Sequence, residues 1–221
     1  MDYASFYREY FPFWDKLTET DQTLLCDNTV EVAFEKEQPL HDNLGCSGLF
    51  IVQSGRLRIY ILSEDGKEIT LYRLSRGELC MLSASCVLQS ITFDVIVSAE
   101  EDSECCVIGG CAFAELTERV PAAKIFALET AVARFSDVMW VMQQILFMSF
   151  DRRLAIFLLD ESSKIGSDSI HLTHEQIAKY MGSAREVVSR MLKYFSTEGM
   201  VELSRGGVKL ANKQKLRRLA L

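Results

Sequence analysis

Residues 171–193, HLTHEQIAKYMGSAREVVSRMLK, constrain the fold more tightly than any other stretch of the chain. Thr173 and Gln176 have the spacing of a capping box at the start of a short helix. Ile177, Tyr180 and Met181 give that helix an apolar face at three- and four-residue spacing. Gly182 predicts its end in a tight turn. Ser183 or Ala184 then opens a second helix, with Val187, Val188, Met191 and Leu192 as its buried stripe. Arg185, Glu186, Ser189 and Arg190 are left on its outer face, near its N-terminus. Two short helices around a glycine turn make a helix-turn-helix, whose second helix enters the major groove N-terminal end first. An ordinary helical hairpin needs neither the Arg-Glu pair at that place nor the basic segment that follows it.

The charge is distributed accordingly. The whole chain carries −7, yet residues 171–221 hold ten Lys/Arg against four acids, which is +6 and leaves −13 on residues 1–170. Phosphate binding depends on such local positive charge and not on the balance of the chain. The 221 residues suffice for two domains, and an apolar fraction of 48% supports real cores in both. No apolar run reaches the roughly 18 residues of a membrane span. The aromatic, slightly acidic start MDYASFYREYFPFW has no leader pattern. Seven cysteines in no regular framework point to reduced thiols. The expected location is the cytoplasm, with no membrane partner.

Residues 3–28 read as mostly helical, with Leu17, Leu24 and Leu25 inward and Thr18 or Thr20 near a cap. From Val30 to about Ile108 the period changes. Short β-branched and aromatic runs (LFIVQSG, RLRIYIL, ITLYRLSRGE, ITFDVIVSAEED, CCVIGG) alternate with turn signals, and Ser63-Glu64-Asp65-Gly66 is a hairpin turn. This pattern predicts an antiparallel barrel or jelly roll.

A long helix follows, with Pro121 at its start. Ile125, Leu128, Val132, Phe135, Met139, Met142 and Leu146 recur at 3-4-3-4-3-4 spacing, the seam of a two-stranded coiled coil. Val138, Trp140, Val141 and Ile145 widen the stripe towards the chain's own barrel. The seam predicts a homodimer helix about 39 Å long. A further helix from Phe150 to about Asp160 leads into the helix-turn-helix, and Val201–Leu203 with Val208–Leu210 form a small hairpin with Arg205-Gly206-Gly207 at its tip. The fold class is α+β: a jelly-roll or barrel sensor domain at 1–118, a dimerisation helix at 119–149 and a winged helix-turn-helix at 150–221.

This order of parts, with the motif HLTHEQIAKYMGSAREVVSRMLK, resembles the Crp/Fnr family of bacterial transcription regulators. The resemblance covers nearly the whole chain, is specific in the last 50 residues, and extends more loosely to GRLRIYILSEDGKEITLYRLSRGE in the barrel. It implies a homodimer on a palindromic operator of double-stranded DNA, a half-site with a G-A step, contact with RNA polymerase, and an effector in the barrel. Carried over by position, Arg185, Glu186, Ser189 and Arg190 match the residues that read bases. Thr173, Ser183, Arg205 and Lys209 complete the expected DNA-binding set, Arg205 and Lys209 through phosphate charge. One departure is Ala184, where the family has a capping Ser or Thr: either Ser183 caps instead, or a phosphate contact is lost.

The family's cyclic-nucleotide members hold the ribose with a Gly-Glu-Leu/Ala element and the phosphate with Arg-Ser. Gly77-Glu78-Leu79 is read here as the turn before that element, which then falls at Met81-Leu82-Ser83 and lacks both Gly and Glu. Between Arg76 and Arg119 there is no Lys, Arg or His to hold a phosphate. Cyclic AMP is therefore not the expected effector. Cys80 and Cys86 occupy that region instead. They read either as a redox switch or part of a metal or haem site, or as small buried residues lining an apolar pocket. No Cys precedes Cys26, so the clustered N-terminal cysteines of the family's iron–sulfur members are absent. A cupin-type enzyme needs several His ligands, and the barrel has only His41. A dimeric DNA-binding protein with a purely structural barrel is the remaining alternative.

Overall fold

The computed structural model describes residues 2–38, 48–80 and 95–221. The chain forms two units: residues 1–61 with 71–138, and residues 62–70 with 139–221. His41, Cys86 and the segment Met81-Leu82-Ser83 lie outside the described residues.

The first unit opens with α1 (Tyr3–Tyr10), a turn of 3-10 helix at Trp14–Lys16, and α2 (Glu19–Asp27). Asp2 caps α1 by accepting from the Ala4 and Ser5 N–H groups, and Thr18 caps α2 by accepting from Asp21 N–H. The strands are β1 (Thr29–Phe34), β2 (Leu49–Ser54), β3 (Leu57–Leu62), β4 (Glu68–Leu74), β5 (Leu79–Cys80), β6 (Ile96–Ala99) and β7 (Ser103–Ile108). One sheet runs β1-β7-β2-β5 and the other β4-β3-β6. The expected hairpin turn closes through Ser63 N–H to Lys67 C=O and Gly66 N–H to Ser63 C=O.

Alternation along β2 and β7 explains their nearly continuous apolar sequence. Leu49, Ile51, Cys106 and Ile108 share a core with the N-terminal aromatic residues Tyr7, Phe11 and Trp14 and with Phe113. Phe50, Val52 and Cys105 face the other way, onto Leu57, Ile59, Leu71 and Cys80. Both faces of these strands are thus covered, which a period-two polar pattern would forbid. Next come α3 (Gly110–Arg119) and α4 (Pro121–Phe147). α3 had no counterpart in the sequence reading, because its start at Gly109-Gly110 imitates a turn; Phe113 and Leu116 fix it to the core.

α4 buries Ala123 and Ala127 against the first unit. Its seam stands in solvent instead: Val132 is 65% exposed, Phe135 63% and Leu146 66%, with Ile125, Leu128, Met139 and Met142 also exposed.

The second unit contains α5 (Phe150–Ile165), β8 (Ser169–Ile170), α6 (His174–Met181), α7 (Arg185–Thr197), β9 (Val201–Ser204), β10 (Gly207–Leu210) and α8 (Lys213–Ala220). α5 runs past the expected end at Asp160, because Glu161 and Ser162 are buried and the left-handed Gly166 ends the helix. Leu154, Leu158, Ile177, Val188, Leu192, Phe195, Val208 and Leu216 make the core. Val187 and Met191 are half-buried, Met191 packing against this core, and Phe195 extends the buried stripe beyond them. Among the described residues no helix is long and apolar enough to cross a membrane.

Two glycines of the first sheets separate backbone strain from crowding. Gly55 has φ +82, and an added Cβ would stand 2.5 Å from the Asp102 carbonyl oxygen; Gly66 has φ +76 in open space. Gly66→Ala should cost about 1 kcal/mol. Gly55→Ala should cost about 3 kcal/mol or more, since strain and a backbone clash add. Urea unfolding of both variants tests the difference; equal midpoints would refute it.

Candidate nucleic-acid interface

The capping box expected at α6 is formed in full. Thr173 Oγ1 accepts from Gln176 N–H at 3.2 Å, and Gln176 Oε1 accepts from Thr173 N–H at 2.9 Å. At the other end Gly182 adopts φ +60 and turns the chain into α7. Arg153 of α5 pins this corner, its Nη2 donating to the Met181 carbonyl at 2.6 Å. Burial lowers the pKa of that guanidinium from its ordinary value.

Neither Ser183 nor Ala184 caps α7. Ala184 is the N-cap residue and supplies no side-chain bond, and Ser183 is half-buried. The first turn of α7 thus presents backbone N–H groups at the positive end of the helix dipole, where an anion is favoured. Arg185, Glu186 and Arg190 are exposed around this end, and Ser189 is half-buried. A cleft of about 360 Å³ collects Leu172, Thr173, Glu175 and Arg185 with Gly206 and Gly207 of the wing. His174 lines the same cleft and lies 2.8 Å through Nδ1 from Ser189 Oγ. The sequence reading missed His174, because only the packing of α6 on α7 brings it to Ser189.

Not all of the basic charge faces outward. Lys213 pairs with Asp168 and holds that carboxyl below its usual pKa. Lys215 Nζ donates to the Glu198 carbonyl at 2.8 Å. Lys209 meets Glu202 across the wing at 3.1 Å, an exposed pair that DNA can displace at small cost. Arg205 stands exposed at the tip.

In the first unit, Cys80 is fully buried beside Leu71, Tyr72 and Cys105. Burial pushes the Cys105 thiol up to about 12 and that of Cys106 to about 11, so both are protonated and poor nucleophiles near neutral pH. Among the described residues no group of three His, Cys, Asp or Glu is placed to hold a metal ion. The Arg76-Gly77 turn carries Glu78 folded back on itself, Oε2 accepting from Ser75 N–H at 2.8 Å. Glu78 Oε1 accepts from Arg134 Nη2 at 3.1 Å, Arg134 Nη1 donates to Asp137 at 2.9 Å, and the guanidinium lies 5.2 Å from the Tyr72 ring centre. The strand segments offer no cation between Arg76 and Arg119, but α4 supplies this one, already matched by two carboxylates.

A winged helix-turn-helix with an exposed Arg-Glu-Arg face, in a chain that also has a two-sheet barrel and a long helix, defines a DNA-binding regulator. Residues 152–219 match the Crp-like helix-turn-helix domain, and residues 34–120 match the cyclic nucleotide-binding domain. The chain is 42% identical to a protein from Eubacterium rectale assigned to the Crp/Fnr family of transcriptional regulators. That likeness has a TM-score of 0.90 and covers 96% of this chain and 98% of the other. The chain is 28% identical over 177 residues to the cyclic AMP receptor protein of Thermus thermophilus, covering 78% of this chain and 79% of that protein. It is 26% identical over 161 residues to the transcriptional activator protein anr of Pseudomonas aeruginosa, covering 69% of this chain and 64% of that protein. The chain belongs to the Crp/Fnr family of DNA-binding transcription regulators and is not an enzyme.

Restoring a cap measures what its absence costs. Ala184→Ser should stabilise the second unit by about 1 kcal/mol, since the hydroxyl can accept from a free N–H of α7. A thermal melt that shifts down, or not at all, would show that the end of α7 already has its partners.

Proposed function

We propose that two copies pair along the α4 seam and read a two-fold symmetric operator, each inserting the N-terminal end of α7 into the major groove. The exposure of Arg185, Glu186 and Arg190 around an uncapped helix end carries this reading. Arg can pair with guanine O6 and N7, and Glu can accept from cytosine N4. Thr173, Ser183, Arg205 and Lys209 supply backbone contacts around them. The exposed apolar stripe from Ile125 to Leu146 supports pairing, because a contiguous stripe of that size marks an interface. A two-fold dimer then places its reading heads about 34 Å apart on one face of the duplex. Such a regulator works in the cytoplasm, by recruiting RNA polymerase or excluding it.

The effector is a molecule other than cyclic AMP. Met81-Leu82-Ser83 lacks the Gly and Glu that would hold the ribose, and residues 77–118 contain no cation for the phosphate. Arg134, the cation that α4 brings to the barrel, is occupied by Glu78 and Asp137. Cyclic AMP at about 1 mM should leave the melting temperature unchanged. Binding at a Kd near 10 μM would instead stabilise the protein by about 2.7 kcal/mol, a plainly visible shift that would overturn this part of the reading.

Base reading and charge separate by mutation. Glu186→Ala should relax preference at one base pair per half-site by about 1–3 kcal/mol. Arg205→Ala should weaken all sequences alike and reduce the salt slope by about 0.9 per half-site. Selection from a random duplex library followed by binding titrations reads both. An asymmetric selected site, or equal loss on every sequence for Glu186→Ala, would contradict the assignment.

A further inference from the structure

His174 opens α6, yet its ring is turned onto the recognition helix, where Nδ1 lies 2.8 Å from Ser189 Oγ. Both residues are half-buried. His174 also walls the cleft between α6, α7 and the wing, in company with Glu175 and Arg185. Ser189, a residue in the predicted reading set, therefore has a protein partner before it meets any base.

Counting hydrogens shows what the pair can do. When the neutral ring carries its proton on Nε2, Nδ1 has only a lone pair, and Ser189 must donate into it. The Ser189 hydrogen is then spent within the protein. When the ring is protonated, both nitrogens donate, Ser189 Oγ becomes the acceptor, and its own O–H is released. Starting from the Nε2–H tautomer, one proton thus adds a positive charge to the cleft and frees a hydroxyl donor on the recognition helix; starting from the Nδ1–H tautomer, which already donates to Ser189, it adds the charge alone. Phosphate oxygens are acceptors, as are guanine N7 and O6, adenine N7 and thymine O4. Both changes favour DNA.

We propose that DNA binding by this regulator is coupled to proton uptake at the His174–Ser189 pair, so that operator affinity rises as the pH falls through the range in which histidine titrates. The inference rests on the DNA-binding reading above. The charged groups that line the cleft with His174 are Glu175 from α6 and Arg185 from α7; Glu186, Arg190 and Lys193 share α7 with Ser189. A bound phosphate adds negative charge and favours the protonated ring. By reciprocity, whatever makes DNA favour the proton makes the proton favour DNA.

The chain has three histidines, His41, His171 and His174, so the assignment can be tested by exclusion. Full-length protein is titrated by fluorescence anisotropy onto a selected operator duplex at about pH 6 and about pH 8, at constant ionic strength. Wild type should bind about tenfold or more tightly at the lower pH, with up to one proton taken up per subunit. His174→Asn, whose amide can still bond Ser189 but cannot charge, should flatten this dependence. His174→Arg should bind with little pH dependence, and at about pH 8 its salt slope should be steeper by about 0.9 per subunit. His171→Asn should keep the wild-type profile. A flat wild-type profile would overturn the proposal, as would a profile that survives in His174→Asn or disappears in His171→Asn. Failure to enrich or bind any duplex at either pH would overturn the DNA-binding reading itself, and the proposal with it.

Discussion

α4 carries two incompatible demands on one helix. Ala123 and Ala127 are buried against the first unit, while Ile125, Leu128, Val132 and Phe135 are held in water. A fully buried side chain of this kind stabilises by about 1.5–3 kcal/mol relative to an exposed one. Seven such residues in one stripe make solvent exposure a costly resting state for a single chain. Within the first unit the same helix carries the polar link from Arg134 to Glu78.

The reading head shows how charge is divided between holding the fold and meeting DNA. Lys213 and Lys215 bind Asp168 and the Glu198 carbonyl, and Arg153 holds the Met181 carbonyl. These cations keep α5, α6, α7 and α8 in register. Arg185, Arg190 and Arg205 remain exposed where a duplex would lie. The positive excess of residues 171–221 therefore overstates what phosphate can use; besides these three, Lys193 of α7 and Arg217 and Arg218 of α8 are exposed.

Features whose physics is local were legible in the sequence. The Thr173–Gln176 capping box, the Gly182 turn, the Ser63–Gly66 hairpin and the wing each depend on residues a few positions apart, and each forms as its spacing implies. The long helix was legible too, since its apolar period runs unbroken, and α4 forms over Pro121–Phe147. α3 was not, because paired glycines at its start are the signature of a turn, and only the packing of Phe113 and Leu116 makes it a helix. The extension of α5 beyond Asp160 was hidden by polar residues that turn out to be buried. His174 with Ser189, and Arg134 with Glu78, join residues far apart in sequence, and no spacing rule reaches them. Of the Cys80/Cys86 pair, Cys80 is buried in an apolar cluster, and Cys86 lies outside the described residues.

The claim on which the rest depends is that the exposed face of α4 is covered by a second copy of itself. Sedimentation velocity of the wild type beside the double variant Phe135→Glu, Met139→Glu tests it most directly. Burying the new carboxylates in a paired seam would cost several kcal/mol, about 3–5 for each uncompensated charge. The account predicts a dimeric wild type and a folded, monomeric variant with native circular dichroism, since both side chains are solvent-exposed in the single chain. A variant that remains a dimer, or a wild type that is monomeric at micromolar concentration, would contradict it.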